Sequence, residues 1–399
     1  MNQNSHNLLF SEESWTLPAE YNSCWNAKGL YNVLQFAVRL RPDIHRTLSR
    51  SPTGAIQASG VSDEQISAFS TCLHENIHWW QHIGSSTGLL LSLLYPAEAH
   101  QNHKHLKKIL EEIGPIKSIR EYYLKNPSLA EGKTTLGKNI NIVLNNYYDM
   151  EFYRSLIVEP QKARILSRDK FFETVGHSYH IAISAIIELI ASTIDKDLAI
   201  LPDARKWEER ERKLREERVE GFYFGSPIGI PPIGAKEIFE GQARFSQLQY
   251  LYFSFQKNLK WKDFESMGML SDVYVSAFNL FCKLTDLEKP NEFEDSTVGL
   301  FLLVCDVATS PAECFTEDLV DFKNLIKVHD PGTRFCLLCH TIKKNKIHFI
   351  NSIIHFTGEE YWRISNLLCD LTGLTSPYSL NQKIISWITK QCFDISKVN

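Results

Sequence analysis

The sequence predicts a mainly α fold with a small β-sheet near the N-terminus. Two observations carry this prediction. Before residue 60, β-branched and aromatic residues alternate with Pro, Gly and Ser turn signals, whereas after Ser62 apolar residues recur at helical spacings of three and four. The chain has 399 residues, of which 43% are hydrophobic, and can therefore bury a large core.

The strand signal is clearest in "LYNVLQFAVRL", residues 30 to 40, which the turn-forming stretch "SRSPTG" follows. The first helix is predicted from 62 to 84. Ser62 and Gln65 form a capping box at its start, and Gly84 is a suitable residue to end it. Its predicted core-facing residues recur at helical spacing: Ile66, Phe69, Leu73, Ile77 and Trp80.

Further helical patterns divide the chain into three segments. We expect a strand-rich segment at 1 to 60, a central core at 61 to 315 with a helical insertion at about 90 to 232, and an α-rich C-terminal segment at 316 to 399. The predicted helices span 103 to 125, 134 to 160, 168 to 196, 204 to 219, 233 to 258, 270 to 287 and 296 to 310.

Composition and charge limit the classes of partner. The chain carries 43 basic and 47 acidic side chains, a net charge of −4, so no overall field attracts nucleic acid or an anionic membrane. The apolar run "GLLLSLLYP" is about half of the roughly 20 residues that a membrane span needs. The start shows no secretory signal, and the nine scattered cysteines do not suggest a disulfide framework. We therefore expect a cytoplasmic protein.

The predicted helix at 62 to 84 contains the string "HENIH". His74 and His78 are one turn apart, so their imidazoles project from the same face about 6 Å apart, a spacing at which both nitrogens can reach one zinc ion. Glu75 lies beside that position and can act as general base on a zinc-bound water. His82 lies about 12 Å along the axis from His74, so we expect a supporting or helix-end role for it.

Two histidines leave a catalytic zinc site one protein ligand short. The metzincin pattern is excluded, because Gln81 and Gly84 stand where that pattern has Gly and His. Later carboxylates that lie in helical patterns include Glu240 in "IGAKEIFEGQARF", Glu188 in "HSYHIAISAIIELIAST", and Asp306.

The strings "HENIHWWQHIGSSTG" and "IGAKEIFEGQA", followed by "LLVCDVATSPAECF" at 302 to 315, resemble gluzincin-type zinc metallopeptidases, in particular bacterial ones with an aromatic-rich HExxH helix. The resemblance implies a zincin-like helical catalytic core, Zn²⁺ as cofactor, and hydrolysis of peptide bonds in a protein or peptide substrate. It also implies Glu240 as the third ligand, with Glu188 and Asp306 as alternatives. Gly241 and Ala243 would let the second helix approach the first closely.

Amide hydrolysis also needs a group that stabilises the developing negative charge, and Arg244, His180 and Tyr179 are the candidates. The charged segment "ARKWEERERKLREERVE" is typical of a solvated helix with internal ion pairs, and an arm for a regulatory protein partner is the alternative. A second function remains open: a catalytically silent zincin-fold scaffold that binds a partner through 204 to 232. A role in bacterial defence or toxicity rests on analogy alone.

Overall fold

A computed structural model of the chain describes residues 27 to 33, 35 to 50, 60 to 131, 133 to 313, 318 to 319 and 321 to 391. The predicted N-terminal sheet is present as an antiparallel pair, β1 Gly29–Asn32 and β2 Ala37–Leu40, with Leu30 opposite Arg39. The remaining described elements are helical, so the mainly α class with a small N-terminal sheet is confirmed. Residues 1 to 26 and 51 to 59 of the predicted strand-rich segment lie outside the described part of the chain.

The described α-helices follow the sheet in chain order. They are α1 Pro42–Ser49, α2 Asp63–Gly84, α3 Ser86–Ile113, α4 Ile119–Lys125, α5 Thr135–Val158, α6 Pro160–Leu166, α7 Val175–Ile194, α8 Trp207–Glu216, α9 Ala235–Ser254, α10 Trp261–Ser266, α11 Val273–Thr285, α12 Ser296–Thr309, α13 Leu325–His329, α14 Pro331–Lys344, α15 Lys346–Ser352, α16 Gly358–Thr372 and α17 Pro377–Gln391. Short 3-10 turns lie at Pro127–Glu131, Ala204–Lys206 and Phe322–Asn324.

Helix α2 begins as the sequence predicts. The amide of Gln65 donates to Ser62 Oγ at 3.3 Å, and the amide of Ser62 donates to Gln65 Oε1 at 3.0 Å. The next helix was predicted to start at 103 but starts at Ser86, because Ser85 ends α2 and its Oγ accepts the amide of Gly88 at 3.0 Å, which caps α3. The predicted helix at 103 to 125 is correspondingly divided at Gly114.

Apolar side chains gather in two main cores. One lies among α9, α11, α12, α14 and α16, with Phe245, Phe278 and Phe301 fully buried in it. The second lies among α3, α5 and α7 and belongs largely to the insertion predicted at 90 to 232. The segment after residue 316 contributes to both cores, with Leu325 in the second and Leu338 in the first. The two cores therefore share the C-terminal helices.

Helix α8 is the charged segment. Trp207 and Glu211 are buried on one side of it, and Arg215 pairs with Glu211 at 2.7 Å, as the spacing predicts. Away from that face, Arg212 pairs with Glu216 at 2.7 Å in the solvent. The helix is thus attached to the molecule by one face and solvated on the other.

Helix α7 is long and apolar enough to cross a membrane by length and composition. Its apolar window is 56% buried, and the helix packs against α3 and α5. A core helix of a folded domain passes the same test, and this packing accounts for its composition.

Candidate metal centre

Helices α2 and α9 cross so that His74, His78 and Glu240 meet. The Nε2 atoms of His74 and His78 are 3.1 Å apart, and Glu240 Oε2 lies 3.5 Å from the first and 3.4 Å from the second. Three ligands at about 2.0 to 2.1 Å from a tetrahedral zinc ion would stand about 3.3 to 3.4 Å from one another. The three atoms therefore have the mutual separation of a zinc site, and the cluster could hold a metal ion.

The hydrogen bonding of the cluster also fits a cation. Glu240 Oε2 is buried and has no hydrogen-bond partner among the described residues, and the two facing imidazole nitrogens need either a shared proton or a common cation between them. Buried polar atoms without partners are costly unless a ligand satisfies them. Two imidazoles and one carboxylate are the donor set of many catalytic zinc sites.

Gln81 orients His78. Its Oε1 lies 2.8 Å from His78 Nδ1, while its Nε2 donates to the carbonyl of Phe239 and to Gln242 Oε1, both at 2.9 Å. Because the amide nitrogen already donates to two acceptors, the oxygen must face the imidazole and accept a proton from Nδ1. The Nε2 lone pair of His78 is then free to bind a metal ion.

Strand β1 covers Glu75. The backbone N–H of Tyr31 hydrogen-bonds the Glu75 carboxylate. A Cβ atom at Gly29 would come within 2.7 Å of Glu75 Cγ, so no side chain fits at that position. Tyr31 Oη also lies 2.8 Å from His82 Nδ1. His82 thus has a supporting role, because it fixes the strand on the helix that carries the metal cluster.

The site shifts the pKa values of its own groups. Burial raises the pKa of Glu75, and it lowers that of His74, which favours the neutral imidazole that metal binding needs. Burial alone would raise the pKa of Glu240, but the two imidazoles 3.4 and 3.5 Å from its Oε2 hold that pKa far below its usual range. Burial alone would lower the pKa of His78, but the contact with Glu240 outweighs burial and raises that pKa.

Arg244 and Tyr274 complete the surroundings of the cluster. Arg244 lies one turn after Glu240 and stacks on Tyr274 with its guanidinium carbon 3.9 Å from the ring centre. The ring centre of Tyr274 is in turn 6.0 Å from that of His74. Sequence reasoning identified Arg244 but missed Tyr31, Gln81 and Tyr274, since no spacing rule links them to the HExxH string.

The other predicted site residues lie elsewhere. Tyr179 donates to Asp330 Oδ2 at 3.1 Å, and His180 pairs with Glu211, so both belong to the packing of α7 and neither can act at the metal cluster. Glu188 lies near Asp203 and Arg205 in a separate surface pocket. Asp306 accepts a hydrogen bond from Tyr361. The structure therefore brings neither alternative third ligand to His74 and His78.

Two further expectations about packing are corrected. Trp80 was predicted on the core-facing side of α2 but is 61% exposed, because the face buried against α9 and the hairpin is the polar one that carries His74, Glu75 and Gln81. Gly241 was expected to allow close approach to α2. It faces α11 and α12 instead, where an added Cβ would lie 3.2 Å from the Phe301 ring.

A second cluster, Asp149, Glu173 and His177, also has the spacing of a metal site. Here the atoms already have partners. His177 Nδ1 is 2.5 Å from Asp149 Oδ2, the amide of Glu173 donates to Asp149 Oδ1 at 3.0 Å, and Arg215 pairs with Glu173. Burial lowers the pKa of His177, but the Asp149 carboxylate outweighs it and raises that pKa to about 9. A proton on His177 thus supplies the positive charge that a metal ion would bring.

Comparison of the chain with models of protein families, with curated proteins and with solved structures found no match. The functional argument therefore rests on the geometry of the site itself.

Proposed function

We propose that the chain is a zinc-dependent metallopeptidase of the gluzincin type, with His74, His78 and Glu240 as ligands and Glu75 as general base. The observation that carries the proposal is the meeting of three donor atoms 3.1 to 3.5 Å apart, one of them a buried carboxylate oxygen without a hydrogen bond, directly beside Glu75. Such a set of groups matches metal-assisted hydrolysis better than any other chemistry of these side chains.

Zinc bound there would supply a Lewis acid that polarises a carbonyl and lowers the pKa of water to near neutrality. Glu75 takes a proton from the attacking water at a carboxylate oxygen and returns it to the leaving amide nitrogen. Its raised pKa brings it closer to the pH at which it must both accept and release that proton. The hydrogen bond from Tyr31 holds the carboxylate in place during both transfers.

Strand β1 offers a surface for the substrate backbone. The carbonyl of Lys28 accepts a hydrogen bond from the chain after β2, and that of Asn32 accepts one in the hairpin turn. Because backbone groups alternate in direction along a strand, those of Gly29 and Tyr31 point to the opposite edge. That edge borders the cleft that contains Glu75. An extended peptide could pair with it as an added strand. Tyr274, whose ring centre lies 6.0 Å from that of His74, and Arg244, which stacks on Tyr274, are the candidate donors to a developing oxyanion.

Metal analysis and a cleavage assay test the proposal together. We expect one zinc ion per chain in the wild type and in Glu75→Gln, but loss of hydrolysis by a factor of about 10² or more in Glu75→Gln, because only the base is removed. Glu240→Ala should lose the metal. Glu188→Ala, which alters a carboxylate away from the cluster, is the matched control and should retain both metal and activity.

A wild-type chain that takes up no zinc would refute the site. Zinc uptake without hydrolysis of any peptide or protein would favour the catalytically silent scaffold. In that scaffold the exposed face of α8 would bind the partner. Substitutions on this face should then abolish partner binding, which tests the scaffold function.

A further inference from the structure

The metal cluster lines the larger of two adjoining clefts, and His74 also lines the smaller one. The larger, here named the Phe239 cleft, has a volume of about 810 Å³ and is lined by Phe239, Leu91 and Tyr95 on the side away from the metal cluster. The smaller, the Leu251 cleft, measures about 660 Å³ and runs past Leu251 and Met269. Both clefts share the same five lining residues at the centre: Ala27, Gly29, His74, Glu75 and Tyr274. The two clefts therefore adjoin at the general base and at strand β1, and together they are named the groove.

Strand β1 runs along this groove. Its outer edge at Gly29 borders both clefts, with Lys28 on the Leu251 side and Tyr31 on the Phe239 side. A peptide paired with that edge would extend into both clefts, because a strand advances about 3.3 Å per residue and keeps its direction over several residues.

The groove offers little for a free amino terminus. Among the described residues that line the two clefts, the carboxylates are Glu75 and Glu240, which the proposed chemistry already uses. An ammonium group held near the scissile bond would need a further carboxylate or carbonyl cluster to replace its hydration. The described part of the lining thus leaves no uncommitted carboxylate for recognition of a substrate's first residue.

The cations of the groove are similarly committed to protein groups. In the Phe239 cleft, Arg154 pairs with Glu151 at 2.6 Å and Lys236 with Glu159 at 2.8 Å. In the Leu251 cleft, Arg244 stacks on Tyr274 and donates to Gln247 Oε1 at 2.7 Å, and Lys28 is exposed at the rim. A terminal carboxylate would have to displace one of these partners or pair with Lys28, the exception, whose ammonium stays hydrated at the exposed rim.

The walls of the Phe239 cleft indicate the side chain that it takes. They are mainly apolar beyond the metal cluster, and the volume exceeds what a single aromatic side chain fills. Burial of a large apolar group there would release ordered water from the apolar walls and so favour binding.

We propose that the groove binds the interior of an extended polypeptide, so that the protein is an endopeptidase that places a large apolar side chain in the Phe239 cleft. This inference rests on the proposed zinc peptidase function. It makes that activity more specific. The substrate needs neither its amino nor its carboxyl terminus near the scissile bond, and selectivity comes from one substrate side chain next to that bond.

Two peptide libraries of identical sequences test the inference, one with free termini and one N-acetylated and C-amidated. Mass spectrometry after incubation with zinc-loaded wild type should show internal cleavage at rates within about threefold of each other, with a large apolar residue enriched at one position beside the cut. Cleavage that requires a free terminus would overturn the inference and leave the proposed function intact. No cleavage in either library would overturn both.

Binding gives a readout that does not depend on turnover. Glu75→Gln should bind a fluorescent peptide with blocked termini as tightly as the same peptide with free termini, measured by anisotropy with and without zinc. A loss of tenfold or more on blocking would show that the groove recognises a terminus, contrary to the inference.

The variants Leu91→Trp and Leu93→Trp distinguish a change in substrate selectivity from a general effect of a bulky side chain on folding. Both residues are half-buried on α3, but Leu91 lines the Phe239 cleft and Leu93 lines neither cleft. Narrowing the cleft should lower kcat/KM for peptides with Phe or Trp at the selected position at least tenfold more than for peptides with Ala there. Leu93→Trp should leave that ratio unchanged. An unchanged ratio in Leu91→Trp would contradict the assignment of the cleft.

Discussion

At the scale of single residues, the site depends on side chains that touch the HExxH residues from outside the motif. Gly29 leaves space for the Glu75 side chain, the backbone N–H of Tyr31 faces the Glu75 carboxylate, and Gln81 orients the His78 ring. A Cβ added at Gly29 would lie 2.7 Å from Glu75 Cγ, and Gln81 Oε1 lies 2.8 Å from His78 Nδ1. Because both contacts are close, small substitutions there should alter chemistry or metal binding with little effect on the rest of the molecule.

Gly29→Ala should impair the base while the metal site survives. The added methyl would meet Glu75 Cγ at 2.7 Å and must displace that side chain or the strand. We expect a fall in kcat of about 10² or more with unchanged zinc content, since misplacement of a catalytic group by about 1 Å can cost this much. Gly229→Ala, where nothing lies within 4 Å of the new Cβ, is the matched control. Full activity in Gly29→Ala would show that Glu75 tolerates the displacement.

Gln81→Met should weaken metal binding. Methionine keeps the length of the side chain but can neither accept from His78 Nδ1 nor donate to the Phe239 carbonyl. Loss of such a supporting hydrogen bond typically costs 10- to 100-fold in metal affinity, which competition with a zinc chelator would measure. Asn76→Ala on the same helix, which loses bonds to the carbonyl and Sγ of Cys72 but none to the metal cluster, should bind zinc as the wild type does. Equal affinities in Gln81→Met and wild type would contradict the role of Gln81.

At the scale of elements, polar contacts between helices place both the site and the insertion. Gln247 on α9 donates to Ser70 Oγ on α2 at 3.2 Å, and Gln81 joins the same two helices near the metal cluster. In the insertion, His177 and His180 on α7 face acidic residues of α5 and α8. The His180–Glu211 contact attaches the charged helix α8 to the second core, and the strength of the Asp149–His177 contact depends on pH.

His177→Gln should reduce the loss of stability at alkaline pH. The pKa of His177 is about 9 in the fold and about 6.5 in the unfolded chain, so its contribution is fully present below pH 6.5 and is lost as the pH rises through 9. Between pH 6.5 and 9.5, the free energy of unfolding in urea should fall by on the order of 2 kcal/mol more in the wild type than in His177→Gln.

The control for this experiment is His103→Gln, which changes an exposed histidine of α3. It should show the same alkaline loss as the wild type. Parallel losses in His177→Gln and wild type would mean that the Asp149–His177 contact does not favour the protonated imidazole.

At the scale of the whole molecule, the C-terminal helices join the two cores. Asp330 caps α14 by accepting the Thr333 amide at 2.6 Å, and Tyr179 of α7 donates to the same carboxylate. Arg334, fully buried, donates to the carbonyls of Val307 and Ala308 at the end of α12. The first turn of α14 therefore contacts α7 of the second core and the end of α12 in the first core.

Arg334→Met should destabilise the entire fold. The guanidinium satisfies the carbonyls of Val307, Ala308 and Val328 at 2.9, 3.1 and 2.8 Å. Its removal takes this donor from the Ala308 and Val328 carbonyls and leaves Val307 with only the Ser310 amide at 3.4 Å. We expect the free energy of unfolding to fall by about 3 kcal/mol or more. Arg363→Met, which removes one bond from an exposed arginine to the Ser352 carbonyl, should unfold at the same urea concentration as the wild type. An equally small effect at Arg334 would contradict its role.

The helix class, the approximate bounds of α2, α5, α9, α11 and α12, and the capping box of α2 were predictable because they depend on spacings along the chain. The proximity of His74, Glu75 and His78 follows from one helical turn in the same way. The start of α3 was missed because Ser85 both ends α2 and caps α3, and the apolar pattern continues through this residue. Trp80 was misplaced because the buried face of α2 is polar, contrary to the usual relation between burial and hydropathy.

The sequence by itself determined the two motif helices and the chemistry of the side chains that they carry. Only the tertiary structure decided that Glu240, rather than Glu188 or Asp306, lies within 3.5 Å of both imidazoles. It also decided that Gly29, Gln81 and Tyr274 surround them. The physical reason is that these contacts join residues far apart in the chain, and their distances depend on how two helices and a strand pack rather than on any local spacing.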